Sequence, residues 1–189
     1  IAYLIVEVLP EIMGSRTARK AKQELSKVIN PNKDIKQAAH NYSIIDTVQN
    51  SMILADECIN KGMYEEAREL YKKCLRGVHE DDPDVMYGLA NAEFGLNNFS
   101  QVKSLLDDLI SENPDYKNPG AHLLYAKTLE NLGEIDLALA EYKVLDQYYS
   151  GPEATFRYAK MLKNHGFAEQ STELFNKILH QSKTSAIQR

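Results

Sequence analysis

The sequence predicts an all-α fold, a solenoid of about four helix-turn-helix repeats. Three observations predict it. From residue 46 onward apolar residues recur at helical spacing, as in Leu54 and Cys58, then Tyr64, Ala67, Tyr71 and Leu75. A small residue returns at Ala55, Ala90, Ala126 and Ala159, at intervals of 35, 36 and 33. A turn residue returns in step with it, at Gly62, Asn97, Gly133 and Gly166. A period near ~34 made of two helices marks a stack of helical hairpins. The composition agrees. The 189 residues are 43% hydrophobic and 26% charged, which excludes wholesale disorder, and nine Gly with six Pro are too few for a loop-rich β fold.

Each segment has its own reading. Residues 1–14 form an apolar stub, with ten of the first 13 residues apolar. That is short of the ~20 residues that span a bilayer. A basic stretch follows, in which Arg16, Arg19, Lys20, Lys22, Lys27, Lys33 and Lys36 face only Glu24 and Asp34. An apolar stub before a basic run reads as the inner end of a transmembrane helix with its positive-inside flank. A buried core helix or strand is the alternative, which Glu7 and Glu11 favour. The chain lacks an initiator Met and is expected to be part of something longer. Residues 15–47 form a basic linker with short helices, one over 17–28 and one over 34–42, separated by Asn30-Pro31-Asn32. Four repeats are expected at 48–82, 83–118, 119–151 and 152–185, with a tail at 186–189. Their turns require positive φ, which Gly supplies at three sites and Asn97 at the fourth. Pro83, Pro119 and Pro152 stand where new first helices begin.

The repeats resemble the tetratricopeptide family. Its first-helix signature appears as Leu54-Ala55 with Cys58, Leu89-Ala90 with Glu93, Tyr125-Ala126 with Leu129, and Tyr158-Ala159 with Leu162. Its second-helix pair appears as Ala67 and Tyr71, Val102 and Leu106, Ala138 and Tyr142, and Ser171 and Phe175. The closing Pro is clear only at Pro114, and the family's Trp is missing. The resemblance covers about three quarters of the chain and implies a right-handed superhelix with a concave face that holds a peptide or a helix. The stub Tyr3-Leu4-Ile5-Val6-Glu7-Val8-Leu9-Pro10 resembles the end of the membrane hairpin that opens bacterial cardiolipin-synthase-type proteins, as in membrane-anchored tetratricopeptide proteins. The resemblance implies a bacterial inner-membrane protein with its repeats facing the cytoplasm; a soluble cytoplasmic protein is the alternative. The lipopolysaccharide-assembly members of the family end in a Cys-x-x-Cys module that this chain lacks.

Catalytic and metal chemistry finds no support. None of His40, His79, His122, His165 and His180 stands at metal-ligand spacing. Cys58 and Cys74 occupy inward slots of one repeat and read as reduced core thiols, with a disulfide as the lesser alternative. The glycines are isolated, so no phosphate loop exists. The acidic run Glu80-Asp81-Asp82-Pro83-Asp84 lacks the Gly of a calcium loop and suits the start of the next helix. A net charge of −5 argues against nucleic acid. No metal, no cofactor and no enzymatic activity are expected.

The concave face remains as the working surface. Its register predicts an apolar column of Met52, Tyr87, Leu123 and Phe156, with Phe94 beside Tyr87. A polar column of Asp56, Asn91, Lys127 and Lys160, with Lys163, runs along it. The family's carboxylate clamp for chaperone tails is not matched, because Met52, Asp56, Gly120 and Leu124 stand where it needs Lys, Asn and a Lys/Arg pair. The expected function is a non-catalytic scaffold that holds a protein or peptide partner. The alternatives are a regulatory subunit or assembly factor for an envelope enzyme, and a soluble self-associating adaptor. Arg16, Arg19, Lys20 and Lys22 are candidates for an anionic membrane surface, and residues 1–13 for self-association.

Overall fold

The computed structural model describes residues 32–187. The stub, the helix expected over 17–28 and the basic residues Arg16, Arg19, Lys20 and Lys22 lie outside the described residues. Nine α-helices follow one another among the described residues: α1 Lys33–Ile44, α2 Val48–Asn60, α3 Tyr64–Cys74, α4 Pro83–Gly95, α5 Phe99–Glu112, α6 Pro119–Leu132, α7 Ile135–Tyr148, α8 Pro152–Asn164 and α9 Ala168–Ile187. A 3-10 turn at Gly77–His79 links α3 to α4, and no strand occurs among the described residues. Helices α2 to α9 pair as four antiparallel hairpins, and α1 packs on α2. Helix α9 runs on through Ile187, into the segment expected as a tail.

Local chemistry sets the helix starts. Pro occupies the first turn of α4, α6 and α8, where its missing N–H costs nothing. Asp82 caps α4 by accepting from the N–H groups of Asp84 and Val85, at 3.1 and 3.3 Å. Asn118 does the same for α6 through Gly120 and Ala121, at 2.8 and 3.2 Å. The acidic run before α4 is thus a capping loop. The hairpin turns adopt the left-handed region at Gly62 (φ 73°), Asn97 (φ 62°), Gly133 (φ 76°) and Gly166 (φ 88°).

The core is a succession of clusters, each bridging one hairpin to the next. Tyr71 and Cys74 of α3 pack with Val85 and Leu89 of α4. Leu106 and Leu109 of α5 pack with Ala121 and Leu124 of α6. Tyr142 and Leu145 of α7 pack with Ala154 and Met161 of α8. The marker alanines Ala55, Ala90, Ala126 and Ala159 are completely buried, so their methyl size permits the helix crossings. Glu93 stands at a slot where the family prefers an aromatic and is 1% exposed. Asn98 Nδ2 donates to its Oε2 at 2.7 Å, and Lys72 Nζ stands 3.9 Å from its Oε1. Cys58 and Cys74 are both buried free thiols whose burial pushes their pKa values up. First helices of neighbouring hairpins touch (α2 with α4, α4 with α6), while the second helices stand further apart. The stack therefore curves toward the side of its first helices, which forms the inner face.

Candidate functional site: the inner face of the first helices

The inner face is held in shape by contacts that cross from one first helix to the next. Lys127 Nζ of α6 sits 5.0 Å from the centroid of the Phe94 ring on α4. The Phe94 ring meets Phe99 edge-on at 5.3 Å. On its other side Lys127 reaches Glu153 of α8 at 3.7 Å. Glu153 accepts from Arg157 Nε at 3.0 Å, and Arg157 Nη1 lies 3.5 Å from Glu130 of α6. Glu130 also accepts from the Tyr142 hydroxyl of α7 at 2.7 Å. A ladder thus runs from Phe94 through Lys127, Glu153, Arg157 and Glu130 to Tyr142, tying three successive hairpins.

Electrostatics follow from that ladder. Burial works against the Arg157 charge, but the Glu153 bond and the field of Tyr142, Glu130 and Glu153 outweigh it and raise its pKa. Burial, then the bond to Glu130, pushes the Tyr142 hydroxyl far above the ordinary tyrosine value. Tyr71 repeats the device in the first hairpin by donating to Asp56, and its pKa is raised in the same way, burial first. In both hairpins a second-helix tyrosine reaches through to hold an inner-face carboxylate of its own first helix.

The structure treats the expected groove residues unequally. Phe94 and Lys127 meet. Asp56 is drawn to Tyr71. Met52 and Tyr87 are half-buried and pack against core clusters, and the Tyr87 hydroxyl lies over Gly120. Asn91 folds its amide back on the Tyr87 carbonyl at 2.9 Å. Leu123 is only 5% exposed and belongs to the core around Ala126 and Leu129, so it offers no surface to a partner. The physical reason is position: α6 is sandwiched between the second and fourth hairpins, and its leucine joins a buried cluster with Tyr142 and Leu145 of α7 and Ala154 and Met161 of α8. Phe156 is 50% exposed and meets Phe175 edge-on at 5.9 Å. Lys160 and Lys163 are exposed, with no ion-pair partner among the described residues. Phe156, Lys160 and Lys163 follow at i, i+4 and i+7 and share one face of α8.

Glu153, Arg157 and Tyr142 were not among the expected site residues. The Glu153 and Arg157 pair is visible in the sequence as opposite charges four apart on a helix. The reach of Tyr142 to Glu130 crosses two helices and has no sequence signal. No group of metal ligands occurs among the described residues, and no helix there is long and apolar enough to cross a membrane.

Comparison with known proteins places this architecture. Residues 59–118 match the family model described as tetratricopeptide repeat. No curated protein matches the chain. Among solved structures, the chain is similar to the crystal structure of MamA, with a TM-score of 0.67 and 18% identity over 91% of this chain and 97% of that one. It is similar to TTC0263, described as a thermophilic TPR protein in Thermus thermophilus, with a TM-score of 0.66 and 19% identity over 87% and 89% of the two chains. It is also similar to YrrB, described as a TPR protein with an unusual peptide-binding site, with a TM-score of 0.60 and 18% identity over 83% and 81%. Residues 59–118 thus match a tetratricopeptide repeat, and the stacked hairpins on either side of them share the fold of solved tetratricopeptide proteins.

Proposed function

We propose that the array is a non-catalytic scaffold whose inner face holds a segment of a partner protein, with the fourth hairpin as the anchor. The observation that carries this reading is the α8 face, where an exposed aromatic ring stands beside two unpaired ammonium groups. Phe156 supplies apolar area, and Lys160 and Lys163 supply cations that no carboxylate among the described residues neutralises. A segment with one large apolar residue and neighbouring Asp or Glu residues fits that face. Lys127 is already engaged by Phe94 and Glu153 and serves as a shoulder of the site. The likeness to YrrB, a TPR protein described by its peptide-binding site, supports peptide capture as the mode.

The basic residues Arg16, Arg19, Lys20 and Lys22 belong to the same reading as the contact to an anionic membrane surface. The setting is the cytoplasmic side of a bacterial inner membrane, where the partner is an envelope protein that the array recruits or regulates. Salt-sensitive flotation with anionic but not neutral liposomes tests that setting; equal binding to neutral vesicles rejects it in favour of a soluble adaptor.

Selection from a peptide-display library on the full chain tests the groove. Enriched peptides should pair an aromatic or aliphatic residue with acids, and the double variant Lys160→Ala/Lys163→Ala should lose them at an unchanged melting temperature. Enrichment of basic peptides, or retention by the double variant, overturns the assignment.

A further inference from the structure

A cavity of about 600 Å³ opens on the other side of α6, between α5 and α7. At ~100° per residue, Ala121, His122 and Tyr125 centre roughly opposite to Leu123, Lys127 and Glu130 around the α6 axis. The cavity is therefore separate from the inner face. Leu106, Leu109 and Ile110 of α5 form one wall. Four aromatic rings line it, those of Tyr116, His122, Tyr125 and Tyr148. His122 and Tyr148 stack with centroids 5.8 Å apart.

Carboxylates stand behind or between those rings. Glu141 lines the cavity, and its Oε2 lies 2.6 Å from His122 Nε2. The Tyr148 hydroxyl lies 2.5 Å from His122 Nδ1. A neutral ring protonated on Nε2 satisfies both contacts, donating to Glu141 and accepting from Tyr148. Tyr116 donates to Asp84 at 2.8 Å, and the Asp107 carboxylate acts on the Tyr125 hydroxyl. Lys117 is the one Lys or Arg on the lining among the described residues, and it is exposed at the rim.

The geometry points to this cavity as a receptor for a cationic side chain, arginine or lysine, presented by a partner polypeptide. Aromatic faces around a carboxylate attract a cation through the ring quadrupoles and a charge-assisted hydrogen bond. The rings sit in a negative field. Burial first, and then the Asp84 carboxylate, pushes Tyr116 up to about 12. Burial and then Asp107 push Tyr125 up to about 12, with Glu141 adding to the effect. A polypeptide source follows from the mouth of the cavity. Leu137, Val144 and Tyr148 are exposed and share one face of α7 with Glu141, at spacings of four, three and four. Ile110 is exposed on α5 across the gap. Such flanks suit a basic residue set among apolar ones, and a free ammonium compound would leave them in water.

NMR titration of the full chain with N-acetyl-arginine methylamide tests the site, with the citrulline analogue as the neutral isostere and choline as the small quaternary ammonium. The arginine probe should shift the ring resonances of Tyr116, Tyr125 and Tyr148, and the citrulline probe should bind about tenfold more weakly. Glu141→Gln should weaken the arginine probe by a similar factor, and Lys117→Gln should strengthen it by removing a like charge. Should Glu141→Gln fail to fold, Tyr148→Leu at an exposed position should give the same loss with the helical spectrum intact. Equal binding of arginine and citrulline, shifts confined to other surfaces, or choline binding more tightly than arginine overturns the proposal. Loss of inner-face binding in the Lys160→Ala/Lys163→Ala variant leaves this result unaffected, so the two readings fail separately.

Discussion

A single backbone angle recurs at all four hairpin turns of the described residues, where the first helix of each pair reverses into the second. Gly133 adopts φ 76°, and a Cβ built on it would meet no atom within 4 Å. Any penalty for a side chain there is therefore a backbone penalty. Gly133→Ala should lower stability by about 1–2 kcal/mol, the cost of an L-residue in the left-handed region. Gly133→Asn should recover a good part of it, because Asn97 performs the same task at φ 62°. Urea unfolding of the three proteins checks the order Gly, Asn, Ala. An Ala variant as stable as the parent contradicts it.

Between elements, the same residue type does a different job. Gly88 lies within α4 with no unusual φ, yet a Cβ there would run into the ring of Tyr71 on α3. The missing side chain is what lets the first hairpin seat its tyrosine against the second. Gly88→Ala should cost about 1–3 kcal/mol by overpacking. A smaller residue at position 71 should relieve it, so the double variant Gly88→Ala/Tyr71→Leu should be more stable than the sum of the single changes predicts. Thermal melts of the full cycle decide this, and strict additivity would show that the two residues do not press on each other. The inner-face ladder works at the same scale but contributes less. Its members are partly exposed, so single ion pairs there count for about 0–1 kcal/mol and mainly set the register of α4, α6 and α8.

The described residues form a chain of nearest-neighbour interfaces, and buried or half-buried tyrosines stand at several of them. Their protonation links stability to alkaline pH. Tyr71 and Tyr142 are raised far above the ordinary value of 10.0, and Tyr116 and Tyr125 are pushed up to about 12. Below pH 10.0 folded and unfolded chains both hold these protons and nothing is lost. Above it the unfolded chain releases them first, so stability should fall from pH 10.0 upward through about 12. Lys73, raised from 10.5 first by its bond to Asp46 and then by Tyr42, loses its contribution on the same limb. Asp46 is lowered from 3.8 chiefly by Lys73, so its share is present above 3.8 and disappears as the pH falls through its folded value. Tyrosinate absorbance and helical circular dichroism, followed together, should show a delayed group of tyrosines that ionise as the helices melt. A single early ionisation step with intact helices contradicts the burial.

The all-α class, the hairpin period, the four turns and the proline starts follow from the sequence alone. Each depends on a local quantity: a helical repeat of apolar residues, a left-handed φ that only Gly or Asn adopts readily, or a ring that fits a first helical turn. The choice of exposed residues came from the tertiary structure. Leu123 and Phe156 occupy equivalent slots of consecutive first helices, yet one is closed over by its neighbours and the other stands half in water. Spacing cannot separate them, because a first helix in the middle of a stack is covered on several sides while α8 is covered on fewer. The bond from Tyr142 to Glu130 and the ring of aromatics around Glu141 are decided in the same way. They unite residues from different helices, and only the crossing of those helices, fixed by buried alanines and glycines, brings the side chains within reach.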